Sequence, residues 1–271
     1  MLLADEIVEC ARPQPLRQRR RLLEPPAGGF VEEIGHVGAS MLAGVTEAWN
    51  EVANDRLAGA LQPVAQQLVD RLAPREGESW LNLTTWPTSI QSRVSSAGAT
   101  VSGHVGDCED LPFDADAFDV VASAFGFIWA PDHVSVASEL ARVTRPDGRL
   151  GFTAWKPNPK LGELYRRFTD EPLDGRESTE WGREDHVEDM LGEDFELDFE
   201  DGTLWIDAES GEELWEIFSV SSPPMLGLVR MLDEVKGEEF HQAFVELFES
   251  YREGDIVRAR RRYLLTLGQR R

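Results

Sequence analysis

Cysteine and long apolar runs are both scarce in this sequence. Its 271 residues contain two cysteines, Cys10 and Cys108, which lie far apart and have no metal-ligand spacing. This argues against a disulfide scaffold and a cysteine metal site, so we expect a reducing cytoplasm and no bound metal. No apolar run is long enough to span a bilayer, and Met1–Glu6 reaches acidic residues before a signal-like segment can form. We therefore expect a soluble cytoplasmic protein.

Positively charged residues are also few compared with negatively charged ones. Lys and Arg together number 27 against 50 Asp and Glu, which gives a formal net charge of −23. Nucleic-acid phosphates and anionic membranes would be repelled, so we expect neither as a partner. The chain is long enough for one large α/β domain, and its 41% apolar content is typical of a globular protein.

Common catalytic motifs are missing as well. The sequence has no Gly-Lys-Ser/Thr phosphate loop, no His-Glu-x-x-His helix and no Gly-x-Ser-x-Gly elbow. Acidic pairs such as Glu212-Glu213 are typical of solvated helix faces.

The chain divides into two parts. Residues 1–40 contain a basic cluster, Arg17–Arg21, and a linker-like stretch, Pro25–Gly29. We expect a partly disordered N-terminal extension; the alternative is that the cluster docks on an acidic surface of the protein or of a partner. Residues 41–271 are expected to form the folded domain.

Hydrophobic periodicity predicts alternating strands and helices from residue 41 onward. Predicted helices lie at 41–72, 90–96, 134–143, 161–168, 185–191, 214–218, 226–232 and 240–251. Predicted strands lie at 80–83, 100–105, 118–125, 149–155 and 263–267, with strands or a hairpin at 195–199 and 203–206. The nearly continuous apolar run Phe118–Phe125 is typical of a central strand that is covered on both faces. The alternation indicates a doubly wound, mainly parallel α/β sheet.

Two central segments then resemble a known family. Gly106-Asp107-Cys108-Glu109-Asp110-Leu111-Pro112-Phe113, with the strand after it, and Glu139-Leu140-Ala141-Arg142-Val143-Thr144-Arg145-Pro146-Asp147-Gly148 are similar to class I S-adenosylmethionine-dependent methyltransferases. Within that family they resemble the small-molecule group that includes the quinone-biosynthesis enzymes. The resemblance runs from about Trp49 to Arg271, and Asp147 replaces the first glycine of the family's Arg-Pro-Gly-Gly turn. It implies a Rossmann-like methyltransferase fold.

The resemblance also implies roles for particular residues if the cofactor binds. Asp107 takes the position that accepts a hydrogen bond from the adenine amino group, with the Cys108 amide and Phe125 beside it. Phe127 and Trp129 would line a substrate pocket. The alternatives stay open: Asp107 can cap its own turn, and the aromatic residues can be ordinary core.

His133 is a further candidate, because it opens a predicted helix and could act as an acid or a base. A lone histidine beside an Asp-rich turn is otherwise a surface residue.

The loop after the first strand departs from the family. Relatives carry a Gly-x-Gly turn that lets the backbone approach the cofactor, but here Asn82-Leu83-Thr84-Thr85-Trp86-Pro87 contains no glycine. Trp86 adds a large ring, and Pro87 removes an amide donor. Asn82 is uncharged where relatives carry an acidic residue, and Thr84 stands inside the former glycine turn.

A strand and helix unit is missing next. Relatives carry a ribose-binding acid, a helix and another strand before the Gly-Asp motif, whereas here His104-Val105 leads directly into Gly106-Asp107. A parallel crossover needs about a dozen residues, so we expect a sheet shortened by one strand-helix unit.

These departures lead to three hypotheses. The first is a non-catalytic methyltransferase-like protein that binds a partner protein, such as an active relative or a second copy, or a small ligand. The second is an active small-molecule methyltransferase that uses S-adenosylmethionine in an atypical site. The third is another enzyme, such as a lyase or isomerase, on the same fold.

Overall fold

The structure, a computed structural model, describes residues 55–84, 88–104, 107–169 and 177–271. The helices are α1 (Asp55–Leu72), α2 (Thr88–Ser96), α3 (His133–Val143), α4 (Pro159–Arg166), α5 (Glu184–Leu191), α6 (Gly211–Ser221), α7 (Pro223–Met231) and α8 (Glu234–Glu249). The strands are β1 (Ser79–Asn82), β2 (Thr100–Gly103), β3 (Phe118–Ala124), β4 (Thr144–Trp155), β5 (Phe195–Ala208), β6 (Arg252–Glu253) and β7 (Ile256–Arg270). Short 3-10 turns occupy Phe127–Trp129 and Glu177–Gly182.

The strands form one mixed sheet in the order β2-β1-β3-β4-β7-β5, with β6 paired to β7. The first four strands of this order are parallel, while β7 runs antiparallel to both β4 and β5. The predicted α/β fold with a mainly parallel sheet is confirmed. The direction of the strand order changes between β1 and β3, because β2 lies on one side of β1 and β3 lies on the other.

The central strand is buried as its composition predicts. Val120, Val121 and Ala122 of β3 have no exposed surface, because helices cover both faces of the sheet. Helix α1 packs on β4 where Gly151 lets Leu68 and Leu72 approach the backbone; a methyl carbon added at Gly151 would lie 2.9 Å from Leu72.

The sheet is also shortened as predicted. Within the described residues, β2 is the outermost strand beyond β1. Only residues 105 and 106 fall outside the description between His104 and Asp107, so no further strand and helix fit there.

The predicted hairpin over residues 195–206 is wrong. Phe195–Ala208 is one continuous strand that pairs with β7 along its whole length. Gly202 in the expected turn instead lies opposite Tyr263, and any side chain at that position would overlap the Tyr263 ring. The glycine therefore makes room for an aromatic ring and does not form a turn.

Two other boundaries differ from the prediction. The turn Arg145–Gly148 is an irregularity inside β4, whose pairing with β3 shifts between Thr144 and Arg149. Asp147 has a φ of 61°, a conformation that glycine adopts more easily. The last strand begins at Ile256, seven positions before the predicted start at Tyr263.

Some expectations fall outside the described residues: the N-terminal extension 1–40, the helical residues 41–54, and the loop residues Trp86 and Pro87. No helix of the described part is long and apolar enough to cross a membrane.

Candidate functional site

The candidate site lies at the carboxyl ends of β1, β3 and β4. In an open α/β sheet a ligand binds where neighbouring strands lead to opposite sides, because the loops diverge and leave a crevice. Here that switch point lies between β1 and β3, whose registers pair Asn82 with Ala122.

The turn after β1 folds back on itself. Asn82 is buried, and its side-chain amide donates a hydrogen bond to the carbonyl oxygen of Thr84. The Leu83 amide continues the ladder by donating to Ala122 over 2.9 Å. The side-chain oxygen of Asn82 is buried and has no hydrogen-bond partner among the described residues. A neutral amide suits this position better than a carboxylate, because an unpaired buried charge would cost more.

The turn after β3 is organised by Ser123. Its hydroxyl oxygen accepts hydrogen bonds from the amides of Gly126 at 3.2 Å and Phe127 at 3.3 Å. The Thr84 hydroxyl lies 3.3 Å from both the Ser123 hydroxyl and the Ala124 carbonyl oxygen. The two turns at the switch point are therefore linked directly to each other.

Gly126 shows how closely the two turns approach. A methyl carbon added there would overlap the Leu83 carbonyl oxygen and the Thr84 hydroxyl, and would lie 2.7 Å from the Ser123 hydroxyl. Its φ of −86° is open to any residue, so the glycine is required for space alone. We call this contact of Leu83, Thr84, Ser123 and Gly126 the closed switch point.

Phe125 lies beside the closed switch point, directly after the carboxyl end of β3. It is buried, has a φ of 57°, and stacks on Trp155 at the end of β4 with ring centroids 3.8 Å apart. A left-handed backbone is uncommon for an aromatic residue and is retained where the surroundings enforce it. Tyr263 of β7 meets the Phe125 ring edge-on at 5.9 Å.

The residues predicted to contact adenine lie on an exposed turn. Asp107 is exposed, and its carboxylate accepts a hydrogen bond from the Glu109 amide over 2.8 Å, as in a self-capped turn. Cys108 is buried, and burial, with Asp107 and Glu109 nearby, raises the pKa of its thiol to about 12. The thiol is thus protonated at neutral pH and is no thiolate nucleophile.

The predicted substrate-pocket residues have different surroundings. Phe127 is buried and packs edge-on against Phe152 and Trp181, which is a core environment. Trp129 is half-buried, and its indole donates a hydrogen bond to the Phe125 carbonyl oxygen over 3.0 Å. Of this pair, Trp129 is the residue tied to the Phe125 turn.

His133 begins α3 and pairs with a histidine that the sequence analysis missed. Its Nδ1 lies 2.8 Å from Nε2 of His186 on α5, and both rings pack against Trp181. Burial and the neighbouring His186 lower the pKa of His133 to about 4, so it is neutral near pH 7. Asp132 caps the helix by accepting from the Ser135 amide. No group of three metal-ligating side chains occurs among the described residues.

Sequence reasoning also missed the residues that close the switch point. In the sequence, Ser123 is one small residue within the apolar run of β3, and Gly126 is one glycine after it, so neither residue by itself indicates this contact. The spacing of Ser123 and Gly126 was the available signal. A serine near the end of a buried strand, three residues before a glycine, can accept hydrogen bonds from the amides of the turn that follows.

Known proteins are similar to this chain over the segment that contains the closed switch point. A profile of the family described as a methyltransferase domain matches residues 65–152. An uncharacterised protein of Mycobacterium tuberculosis is 37% identical over 109 residues, which cover 38% of this chain and 39% of that protein. Nocamycin O-methyltransferase of Saccharothrix syringae is 32% identical over 145 residues, which cover 40% of this chain and 52% of that enzyme. The match thus spans about half or less of these relatives.

Among solved structures, phosphoethanolamine N-methyltransferase 2 of Haemonchus contortus was determined in complex with S-adenosyl-L-methionine. It aligns with a TM-score of 0.46 at 11% identity, over 77% of this chain and 52% of that one.

Proposed function

We propose that this chain, whose residues 65–152 match the methyltransferase domain family, works by binding, without methyl transfer. S-adenosylmethionine is the cofactor such a domain uses when it is active. We propose that this chain does not hold it in the family's manner, and that its partner is a small ligand or another protein.

The closed switch point is the observation that carries this proposal. The crevice between β1 and β3 is where the fold binds its ligand, and here Thr84 is hydrogen-bonded across it to Ser123. Gly126 lies so close to Leu83 and Thr84 that even one added carbon has no room. This close contact between the two turns supports the proposal that the cofactor does not bind in the family's manner, and we derive no catalytic step through it.

The turn that carries Asp107 supports the same proposal. Its carboxylate accepts a hydrogen bond from the Glu109 amide of its own turn, and no acidic residue stands between Gly103 and Gly106, so Asp107 is the acid left for the ribose-binding role. The self-capped turn and the missing acidic residue support the proposal that the nucleoside is not held in the family's manner.

Direct titration tests the proposal. Wild-type protein is titrated with S-adenosylmethionine and S-adenosylhomocysteine by calorimetry up to near-millimolar ligand, with the Haemonchus contortus enzyme as the positive control. We expect no saturating heat for this chain. Saturation at micromolar affinity by either ligand would contradict the proposal.

An active methyltransferase with an atypical cofactor site is the second candidate. It is favoured by the 32% identity to nocamycin O-methyltransferase. Micromolar binding in the same titration, followed by methyl transfer to a small-molecule acceptor, would establish it in place of the first.

We propose that any protein partner is a second copy of this chain or an active relative. Within the described residues β2 pairs with β1 alone, and its end residues are exposed. An unpaired strand edge can add a strand from another chain. Light scattering on the purified protein tests the homodimer, for which we expect twice the mass of the 30.4 kDa chain; a monomer at all concentrations would contradict it.

A further inference from the structure

A short segment of the chain covers one face of the sheet beside the carboxyl end of β4. It consists of the 3-10 turn Glu177–Gly182 and the helix α5, and we call residues 177–191 the cover segment. Its Trp181 is fully buried and packs edge-on against Phe127 and Phe152, with ring centroids 5.1 and 5.8 Å away. The segment therefore shields the aromatic core of this face from water.

The cover segment lies directly on the backbone of β4. A carbon added at Gly182 would overlap the Trp155 carbonyl oxygen, so the turn has no room for a side chain there. Further along, Val187 and Leu191 of α5 have no exposed surface. Such packing is weakened by any charge that forms beneath the segment, because a buried charge needs polar partners.

A histidine pair joins the cover segment to α3. Nδ1 of His133, the first residue of α3, lies 2.8 Å from Nε2 of His186 on α5, which is hydrogen-bond distance. Both rings lie against Trp181, with centroids 4.9 and 5.5 Å from it. The pair therefore lies where α3, α5 and the buried indole meet.

The contact holds one proton between its two nitrogens. A neutral imidazole has one N–H donor and one acceptor nitrogen, so two neutral rings can share a hydrogen bond. When both rings are protonated, both nitrogens carry N–H groups, and repulsion between two cations replaces the hydrogen bond. The other ring nitrogen of His133, Nε2, is buried and has no hydrogen-bond partner among the described residues. Protonation of this ring therefore opposes the packed arrangement.

The surroundings of His133 oppose its protonation overall. Burial and the neighbouring His186 disfavour the charged ring, whereas the Asp132 carboxylate favours it. Burial is the largest of these effects, and together they lower the pKa of His133 to about 4.

Other charged groups near the pair have partners of their own. The Asp132 amide donates a hydrogen bond to the Glu109 carboxylate over 2.9 Å. On the other side of the pair, Asp185 precedes His186 and forms an ion pair with Arg183 at 2.6 Å, and Arg183 also lies 3.4 Å from Glu180 of the 3-10 turn. These ion pairs stay formed over the pH range in which a histidine titrates, so the histidines carry the pH dependence of this contact.

We propose that His133 and His186 form an acid-released clasp. At neutral pH their shared hydrogen bond holds the cover segment on the sheet, and protonation of both rings releases α5 and Trp181 while β3 and β4 stay folded. Release uncovers Phe127 and Phe152, so the clasp controls access to the aromatic core at this end of the sheet. The clasp goes beyond the proposed function, and its test does not involve S-adenosylmethionine.

The direction of the pH effect follows from the two states of His133. In the released segment the ring takes up a proton near its ordinary pKa of 6.5, whereas in the held segment it does so only near 4. The released state therefore binds more protons between these values, and the clasp weakens as the pH falls from 6.5 towards 4. Relative to the held state, we expect the released state to be about tenfold more populated at about pH 5 than at about pH 7.5.

Hydrogen–deuterium exchange of the full-length wild-type chain measures release. Exchange is followed by mass spectrometry in peptides from the cover segment and from β3 at both pH values, and each rate is divided by the intrinsic rate at that pH. We expect protection of the cover segment to fall about tenfold at the lower pH, and protection of β3 to stay within about twofold. Unchanged protection of the cover segment, or an equal loss in β3, would overturn the proposal.

Three variants assign the effect to the pair. His133→Gln and His186→Gln keep a polar side chain that cannot take up a proton, so each should lose most of the pH dependence. His241→Gln is the matched control, because His241 lies on α8 and is hydrogen-bonded to Glu212 of α6; it should keep the drop seen in wild type. Protection of β3 at neutral pH shows that each variant is folded. A drop of wild-type size in either pair variant, or its loss in the control, would contradict the assignment.

Discussion

Two neighbouring regions of the same sheet edge have opposite character. At the ends of β1 and β3, the hydroxyls of Thr84 and Ser123 are hydrogen-bonded to each other, and the neighbouring turn leaves no room for a side chain at Gly126. At the edge beside β4 and β7, the Trp155 ring stacks with Phe125 at 3.8 Å between centroids, and the Arg261 guanidinium carbon lies 4.7 Å from its centroid. The turns of the first region are tied to each other by polar contacts, while the second region is built from stacked side chains.

This difference teaches that side chains at one sheet edge can differ in character while the sheet behind them stays the same. The shortened sheet is continuous from β2 to β5, because its strands are held by ladder hydrogen bonds and a buried apolar core. Binding capacity depends on a few side chains at the edge, which can change without disturbing that core.

The largest effect is expected from Gly126→Ala, which forces the closed region open. The added carbon overlaps the Leu83 carbonyl oxygen and the Thr84 hydroxyl, so we expect a loss of about 3 kcal/mol in the free energy of unfolding. Urea denaturation measures it.

Gly103→Ala is the matched control for that variant, because a carbon added at Gly103 meets nothing within 4 Å. Its stability should stay within about 0.5 kcal/mol of wild type. A Gly126→Ala protein as stable as this control would mean that the two turns are not in contact.

Gly202→Ala tests the packing beside the second region. The new carbon overlaps the ring of Tyr263, whose hydroxyl donates to Gln67 over 2.6 Å. Since the ring can shift more easily than a backbone oxygen, we expect a smaller loss of about 2 kcal/mol. The double variant Gly202→Ala/Tyr263→Leu should lose less than the two single losses added together; strict additivity would rule out the contact.

Sequence patterns predicted those parts of the molecule that depend on local regularity. The apolar run 118–125 became β3, and the spacing in 134–143 became α3, because burial on both faces and helical amphipathicity leave a repeating signal. The missing strand-helix unit was also predictable, since chain length between His104 and Asp107 sets a geometric limit.

Contacts between distant residues left no such signal. Glu200-Asp201-Gly202 is a normal turn sequence, and only the partner strand reveals that Gly202 makes room for Tyr263. Arg261 stands in a run of arginines, and its inward direction follows from the strand starting at Ile256, ahead of the predicted start. The pairing of His133 with His186 joins two helices 53 positions apart.

Acid pH should reveal the half-buried histidine pair, His133 and His186, near the Phe127 turn. The unfolded chain protonates His133 near its ordinary pKa of 6.5, whereas the folded protein does so only near 4. Between these values the unfolded state binds more protons, so stability falls as pH drops from 6.5 towards 4. For a half-exposed group the effect should be on the order of 1 kcal/mol.

Urea curves across this pH range measure that effect. His133→Gln should show a flatter dependence than wild type. Identical slopes for the two proteins would mean that His133 titrates normally in the folded state.

The smallest effect is expected from Thr84→Val, which removes the hydroxyl that links the two turns but keeps the shape. Loss of the contacts to Ser123 and the Ala124 carbonyl should cost about 1 kcal/mol. Thr100→Val on the exposed edge strand should change the urea midpoint far less, and equal effects of the two would contradict the link.

An NMR titration with S-adenosylhomocysteine tests the central contrast most directly. Amide signals of Thr84 and Gly126 and the indole signal of Trp155 are followed in one labelled sample. We predict no saturable change at Thr84 and Gly126 with the nucleoside. Saturable shifts of Thr84 and Gly126 with S-adenosylhomocysteine would contradict the account, because they would place the cofactor in the region that we describe as closed.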